Sequence, residues 1–263
     1  MLQKPVVIVT GASRGLGAAV AGWLAKAGTA VTLLARSEEN LNKVAEDVRQ
    51  RGGEPLVCRG DVVDYDRCLG AVENTLKRFG RIDALVNNAG IVQPISAVAQ
   101  SDPADWRYNI EVNLIGSFNL IRAAVSALRR QDGRIVNVSS GAANLALENI
   151  SAYCAAKAAL NHFSRVMAAE EAALTVLAVR PGVVDTDMQA YIREEGPKSL
   201  PADQAAYYQQ LKDRGELEPP EIPARSIAWL ALHAPRQFSG RFLDYDDPHV
   251  SRSALEVFGE SLI

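Results

Sequence analysis

The sequence predicts an α/β fold, a single domain built on a doubly wound, seven-stranded parallel sheet covered by helices. Short aliphatic, β-branched runs alternate along the chain with longer helical patterns. The short runs are continuously apolar, as expected of strands that are buried on both faces. No change of composition divides the 263 residues, so we expect one domain spanning residues 1–263.

The predicted elements follow one another in regular order. Seven strands are predicted at residues 6–10, 30–35, 55–59, 84–87, 134–139, 175–180 and 241–244. Helices are predicted between them at residues 15–27, 38–51, 65–79, 103–129, 151–172 and 222–233. Residues 185–220 break this rhythm, because they are polar and contain Pro197, Pro201, Pro219 and Pro220. Such insertions are usually functional, so we predict a substrate lid at about residues 186–220.

Composition argues against several classes of function. The net charge is -3 and no basic stripe stands out, so a nucleic-acid partner is not expected. No apolar run approaches the ~18 residues of a membrane helix, and the N-terminal residues do not resemble a signal peptide. Three scattered cysteines without C-x-x-C spacing suit a reducing, cytoplasmic location. The three histidines are too dispersed to predict a metal site.

A glycine-rich turn directly follows the first predicted strand. Residues 10–17 read Thr-Gly-Ala-Ser-Arg-Gly-Leu-Gly and lead into the first helix. At this position a helix N-terminus offers backbone N–H groups and a positive dipole to a dinucleotide pyrophosphate. The G-x-x-x-G-x-G spacing differs from the common G-x-G-x-x-G fingerprint. The cofactor contacts predicted here are Gly11, Ser13, Arg14, Gly15, Leu16 and Gly17.

The end of the second strand indicates which nicotinamide cofactor binds. NAD-binding sheets place an acidic residue there to bind the ribose 2′-hydroxyl. This chain has the neutral Ala35 followed by Arg36, and Arg14 in the glycine turn should point into the same space. Because two guanidinium groups suit a 2′-phosphate, the sequence predicts NADP(H).

Tyr153 and Lys157 lie four residues apart in an alanine-rich predicted helix, and Ser140 precedes the tyrosine by thirteen residues. Residues at i and i+4 share one helix face, so the phenol and the ammonium should be neighbours. A nearby cation favours the phenolate and lowers the pKa of the phenol. The pair therefore predicts an acid–base site in which Tyr153 exchanges a proton.

These residues belong to a longer series of motifs. The series comprises residues 10–17, Asp61 and Val62, residues 87–90, Asn113, Ser140, Tyr153, Lys157, and residues 180–186. In order and spacing it resembles the short-chain dehydrogenase/reductase family. The second half of the chain is most similar to the sepiapterin reductase and benzil reductase branch of that family.

The resemblance implies roles for the matching residues. Ser140, Tyr153, Lys157 and Asn113 would be catalytic, with Asn113 kinking its helix and positioning a water that relays protons to Lys157. Lys157 would also hold the nicotinamide ribose. The further cofactor contacts implied are Asp61, Val62, Asn88, Ala89, Gly90, Pro181, Gly182, Val184 and Thr186.

The residues expected to bind the substrate differ from those of this branch. Where that branch tends to have a Gly-Trp pair, this chain has Asn149-Ile150, which leaves an expected apolar wall of Leu145, Leu147 and Ile150. Asp244 matches the aspartate that anchors the substrate in pterin reductases. Many relatives carry an aspartate there for structural reasons, so both interpretations of Asp244 stay open.

The leading hypothesis is an NADPH-dependent carbonyl reductase that acts on a small, largely apolar ketone or 1,2-diketone. The alternatives are a pterin reductase, an NADP-dependent alcohol dehydrogenase, and a nucleotide-sensing protein without catalysis. A homodimer or homotetramer is expected, with contacts through the helices at 103–129 and 151–172. The sequence names neither the physiological substrate nor the stereochemistry of the product.

Overall fold

All seven predicted strands form one parallel sheet in the computed structural model, which describes residues 4–262. The strands are β1 (Val6–Thr10), β2 (Ala30–Ala35), β3 (Glu54–Arg59), β4 (Ala84–Asn87), β5 (Arg134–Val138), β6 (Thr175–Arg180) and β7 (Phe242–Asp244). Their spatial order is β3-β2-β1-β4-β5-β6-β7, and every neighbouring pair is parallel. The predicted fold class is therefore confirmed.

Ten α-helices accompany the sheet within residues 4–262. They are α1 (Gly15–Lys26), α2 (Glu38–Gln50), α3 (Tyr65–Phe79), α4 (Pro103–Ile110), α5 (Gly116–Arg129), α6 (Ser151–Glu170), α7 (Asp187–Glu195), α8 (Ala202–Asp213), α9 (Glu221–His233) and α10 (Pro248–Phe258). Successive strand residues point to opposite faces of the sheet. Accordingly, Val7 and Val9 pack with α1, α2, α9 and α10, whereas Ile8 packs with α3, α5 and α6.

The helices differ from the prediction in three places. The helix expected at 103–129 is divided by a π-helical turn, Glu111–Ile115, between α4 and α5. The lid segment contains two helices, α7 and α8, and the chain ends in an unpredicted helix, α10. The start of α10 carries a recognisable signal, because Asp247 caps the His249 N–H at 2.9 Å and Pro248 occupies the first turn.

The strand order positions the site. The direction of winding reverses between β1 and β4, and this reversal opens a crevice at the carboxyl ends of the two strands. The glycine turn follows β1, and residues 88–90 follow β4. Ser140 and Pro181 come just after β5 and β6. The predicted motifs thus meet at one edge of the sheet.

Candidate active site

A cavity of about 960 Å³ runs along the carboxyl ends of the strands. It is large enough for a dinucleotide and a small substrate. The predicted site residues that line it are Gly11, Ser13, Arg14, Gly15, Leu16, Arg36, Asp61, Val62, Asn88, Ala89, Gly90, Ser140, Leu145, Leu147, Ile150, Tyr153, Lys157, Pro181, Gly182, Val184 and Thr186. Gly17, Asn113 and Asp244 do not line the cavity.

The glycine turn has the shape expected for binding a pyrophosphate. Gly11 adopts a positive φ of 63°, which side chains rarely tolerate. A Cβ on Gly17 would clash with the Gly11 carbonyl oxygen, so the absence of a side chain at Gly17 allows the turn to pack closely against α1. No side chain caps the start of α1 at Arg14. The first N–H groups of α1 therefore fit an anionic ligand.

Hydrogen bonds tie this turn to the end of β4. The Thr10 hydroxyl accepts from the Asn88 and Ala89 N–H groups at 2.9 and 3.0 Å. The Asn88 side-chain amide donates to the Thr10 carbonyl at 2.9 Å. Asn88 is therefore a structural clamp between the two strands that form the crevice.

The arginines expected at the 2′-phosphate are each near a carboxylate. Arg14 forms an ion pair with Asp187 at 2.7 Å, and both side chains are about two-thirds exposed. Arg36 lies 4.0 Å from Asp61 and donates to the Tyr108 hydroxyl at 3.3 Å. These contacts are exposed and weak, so a phosphate dianion is a strong competitor for both guanidinium groups.

Ser140, Tyr153 and Lys157 come together at the opposite end of the cavity. The Lys157 side chain is buried, and its Nζ donates to the Val138 carbonyl at 2.9 Å and lies 5.6 Å from the centre of the Tyr153 ring. Burial lowers the pKa of Lys157 to about 8.

The pKa of Tyr153 shifts in the direction opposite to our expectation. Burial raises it to about 12, and the hydrogen bond with Ser140 offsets this only in part. In the protein alone, desolvation thus outweighs the expected effect of Lys157, and Tyr153 is a protonated phenol at neutral pH.

Asn113 lies in the π-helical turn, directly behind the cavity wall. Its amide nitrogen donates to the Ile91 and Asn109 carbonyls at 2.8 and 3.0 Å, and its oxygen accepts from the Ile91 N–H at 3.2 Å. A Cβ on Gly90 would lie 2.7 Å from this oxygen and 3.6 Å from Lys157 Nζ. Asn113 therefore fixes the chain beside Lys157, and its role in a water relay stays a prediction.

The substrate end is largely apolar. Val92, Ile150, Ile192, Leu200 and Tyr208 form a buried cluster. Tyr153 and Leu147 pack against this cluster. The apolar wall predicted from Leu145, Leu147 and Ile150 does line the cavity, although Leu145 is more than half exposed.

Asn149, which stands in the place of the Gly-Trp pair expected from the resemblance, adopts an unusual backbone conformation. Its φ is 62°, a left-handed conformation that asparagine tolerates better than most residues. Its amide donates to the Ser199 carbonyl in the lid segment, and its own carbonyl accepts from the Ser96 N–H at 2.7 Å. Asn149 thus forms a left-handed turn and joins it to the lid segment.

Asp244 forms an ion pair on the last two strands of the sheet. Its carboxylate pairs with Arg180 through two contacts of 2.6 Å, and it lies outside the cavity. This ion pair supports the structural one of the two roles considered for Asp244, and a substrate contact stays a prediction.

Other residues that line the cavity were not predicted as site residues. Beside Arg36 these include Ser37, which caps α2, and Asn40 in the first turn of that helix. At the substrate end they are Met188, Gln189, Ile192, Gln204, Tyr207, Tyr208 and Leu211 of the lid segment, together with Arg180 and Tyr245. Met188 and the tyrosines 207 and 208 were recognisable as apolar lid material, but the inward position of the two glutamines depends on how α7 and α8 pack.

No helix within residues 4–262 is long and apolar enough to cross a membrane. No group of three His, Cys, Asp or Glu side chains in the same range is placed to hold a metal ion.

Known proteins are similar to this chain in sequence and in fold. The short chain dehydrogenase family matches residues 5–197. An uncharacterized oxidoreductase of Saccharomyces cerevisiae, YIR035C, is 37% identical over 247 residues, which cover 92% of this chain and 96% of the relative. A benzil reductase that forms (S)-benzoin, from the same organism, is 34% identical over 255 residues, with coverage of 92% and 96%.

The crystal structure of YIR035C superposes on this chain with a TM-score of 0.88 at 36% identity. The superposition covers 94% of this chain and 98% of the other. Sequence, fold and cavity therefore agree, and the chain is an oxidoreductase of the short-chain dehydrogenase/reductase family, close to the benzil reductase branch.

Proposed function

We propose that the protein is an NADPH-dependent carbonyl reductase that converts a small, largely apolar ketone or 1,2-diketone to an alcohol. The observation that carries this proposal is the convergence of Ser140, Tyr153 and Lys157 on one apolar cavity that begins at the glycine turn. The likeness to a benzil reductase supports a diketone substrate.

The reduced nicotinamide, when bound, supplies a hydride to the carbonyl carbon. Tyr153 donates its phenolic proton to the carbonyl oxygen, and its high pKa keeps that proton available at neutral pH. Ser140 donates a hydrogen bond to the same oxygen and stabilises the charge that develops there. Lys157 places a buried ammonium beside the phenol and stabilises the phenolate left after proton transfer.

The turn and the two arginines support NADPH as the reductant. The N-terminus of α1 would hold the pyrophosphate, and Arg14 and Arg36 would bind the 2′-phosphate. Ala35 supports this choice, because no acidic side chain stands at the end of β2 to bind a 2′-hydroxyl or repel a phosphate.

The segment that follows Thr186 is proposed to act as a lid, with α7 and α8 closing over the substrate and excluding water. Hydrogen exchange with and without NADPH and substrate tests this, and equal protection of residues 186–215 in both states would contradict closure.

Self-association, as a dimer or tetramer, is proposed through α5 and α6. Phe118 and Val166 are 46% and 40% exposed on these helices, and the rings of Phe118 and Phe163 are 6.3 Å apart. Sedimentation that shows only monomer at micromolar concentration would contradict this proposal.

Replacing Tyr153 by Phe tests the reaction. We expect kcat/KM to fall by about 100- to 10,000-fold, because the proton donor is lost, while NADPH binding measured by fluorescence changes little. Tyr65→Phe, at an exposed tyrosine outside the cavity, is the control. Turnover by Tyr153→Phe within tenfold of wild type would show that another acid carries the chemistry.

Replacing Arg36 by Asp tests the cofactor. The ratio of kcat/KM for NADPH over NADH should fall by about ten- to a hundredfold, since a charged hydrogen bond is lost and repulsion is added. Arg59→Asp makes the same charge change at the exposed end of β3, outside the cavity, and should leave the ratio unchanged. An unchanged ratio in Arg36→Asp would place the 2′-phosphate elsewhere.

Replacing Lys157 by Met should abolish activity and stabilise the fold. The folded pKa of about 8 lies below the ordinary 10.5, so the buried ammonium opposes folding below about pH 8 by about 3 kcal/mol. This cost fades as the pH rises from about 8 to 10.5, so wild-type stability should rise across that window. The variant should gain about 1–3 kcal/mol at neutral pH and less near pH 10.

Urea unfolding at the two pH values measures this gain, with Lys77→Met on the exposed side of α3 as the control. A loss of stability at neutral pH would mean that the hydrogen bond to Val138 outweighs the cost of burying the ammonium.

A further inference from the structure

An ion pair joins the glycine turn to the start of the lid segment. The guanidinium of Arg14, in the turn, lies 2.7 Å from the carboxylate of Asp187, the first residue of α7. Both residues line the cavity, and both side chains are about two-thirds exposed, so a ligand can reach the pair. The pair therefore occupies part of the surface that the cofactor is expected to use.

The backbone brings these two residues together, so the pair does not depend on long side chains alone. Gly15 adopts a positive φ of 54°, and a Cβ there would lie 3.2 Å from Thr186 Cγ2. The glycine turn and the start of α7 are thus close neighbours. By comparison, Asp185 pairs with Lys212 at 2.8 Å, inside the lid segment. Asp187 instead takes its cation from the expected cofactor site.

The two arginines expected at the 2′-phosphate differ in what engages them. Arg36 donates to the neutral Tyr108 hydroxyl at 3.3 Å, and the Asp61 carboxylate is 4.0 Å away. Arg14 is in direct contact with a carboxylate. A phosphate that binds Arg14 must displace this carboxylate or share the guanidinium with it. Either event weakens the binding of the phosphate, because the two anions repel each other and compete for one cation.

We propose that Asp187 is a determinant of cofactor affinity, which weakens the binding of NADPH by competing with its 2′-phosphate for Arg14. This inference rests on the proposed binding of the 2′-phosphate by Arg14 and Arg36. NADH has no 2′-phosphate to compete for Arg14, so Asp187 affects the two cofactors differently. The same competition favours the release of NADP⁺ after the reaction.

The test measures the Kd of NADPH and of NADH by titration calorimetry for the wild type, Asp187→Asn, Arg14→Gln and the double variant. Asparagine keeps the size of the side chain and removes its charge. In Asp187→Asn, NADPH should bind about two- to fivefold more tightly relative to NADH, the range expected for the loss of an exposed ion pair. In the Arg14→Gln background the same substitution should change the ratio by less than about 1.5-fold, because the two residues act through one contact.

Two further measurements separate competition for Arg14 from an effect on the lid segment. Adenosine 2′,5′-bisphosphate and 5′-AMP lack the nicotinamide, which is the part of the cofactor expected beside Thr186. Asp187→Asn should raise the preference for the bisphosphate over 5′-AMP by a similar factor. The gain for NADPH should also shrink as the salt concentration rises from about 50 to about 500 mM, since screening weakens exposed ion pairs.

Asp203→Asn is the matched control, since Asp203 is an exposed acidic residue in the first turn of α8 and does not line the cavity. It should leave the ratio of the two Kd values unchanged. An unchanged or lower preference for NADPH in Asp187→Asn, or an equal gain in the Arg14→Gln background, would overturn the inference. The proposed use of NADPH is tested separately. A wild type that binds NADH as tightly as NADPH, with no change in Arg14→Gln, would contradict that proposal and the inference with it.

Discussion

The burial of the Lys157 ammonium is the constraint on which the rest of the site depends. A cation that is 4% exposed must find a partner, and here the partner is the main-chain carbonyl of Val138 at the end of β5. That bond fixes α6 against the carboxyl edge of the sheet. It therefore also fixes Tyr153, one turn earlier on the same helix, relative to Ser140, which follows β5.

The same burial makes the two titratable groups respond in opposite directions. Desolvation disfavours charge, so it raises the pKa of the Tyr153 phenol and lowers that of the Lys157 ammonium. A neutral phenol at Tyr153 suits the proposed role of proton donor. The Lys157 ammonium would stabilise Tyr153 only after the proton has left. In the proposed reaction, the unfavourable burial of the Lys157 ammonium is offset as the phenolate forms, a common relation between stability and activity.

The seven parallel strands could be predicted, and candidate catalytic residues could be named, because their signals are local. Continuous apolar runs such as Val6–Thr10 identify buried strands. Ser140, Tyr153 and Lys157 can be recognised by the spacing between them along the chain. The π-helical turn around Asn113 left no trace in the hydrophobic pattern. The ion pair of Asp244 could not be predicted, because its partner, Arg180, lies 64 residues away on the adjacent strand. The inward position of Gln204 likewise depends on tertiary packing.

The two ends of the lid segment are bonded to each other. The Asp185 N–H donates to the Glu218 carbonyl at 2.9 Å, and the Glu218 N–H donates to the Val183 carbonyl at 2.8 Å. Lys212 adds an ion pair with Asp185 at 2.8 Å. Because the ends of the insertion are joined to each other, its length costs little closure entropy, and a rearrangement of α7 and α8 need not disturb β6 or the sheet. Side chains of the lid segment can therefore differ without moving Tyr153 and Lys157, which are held by α6 and the sheet.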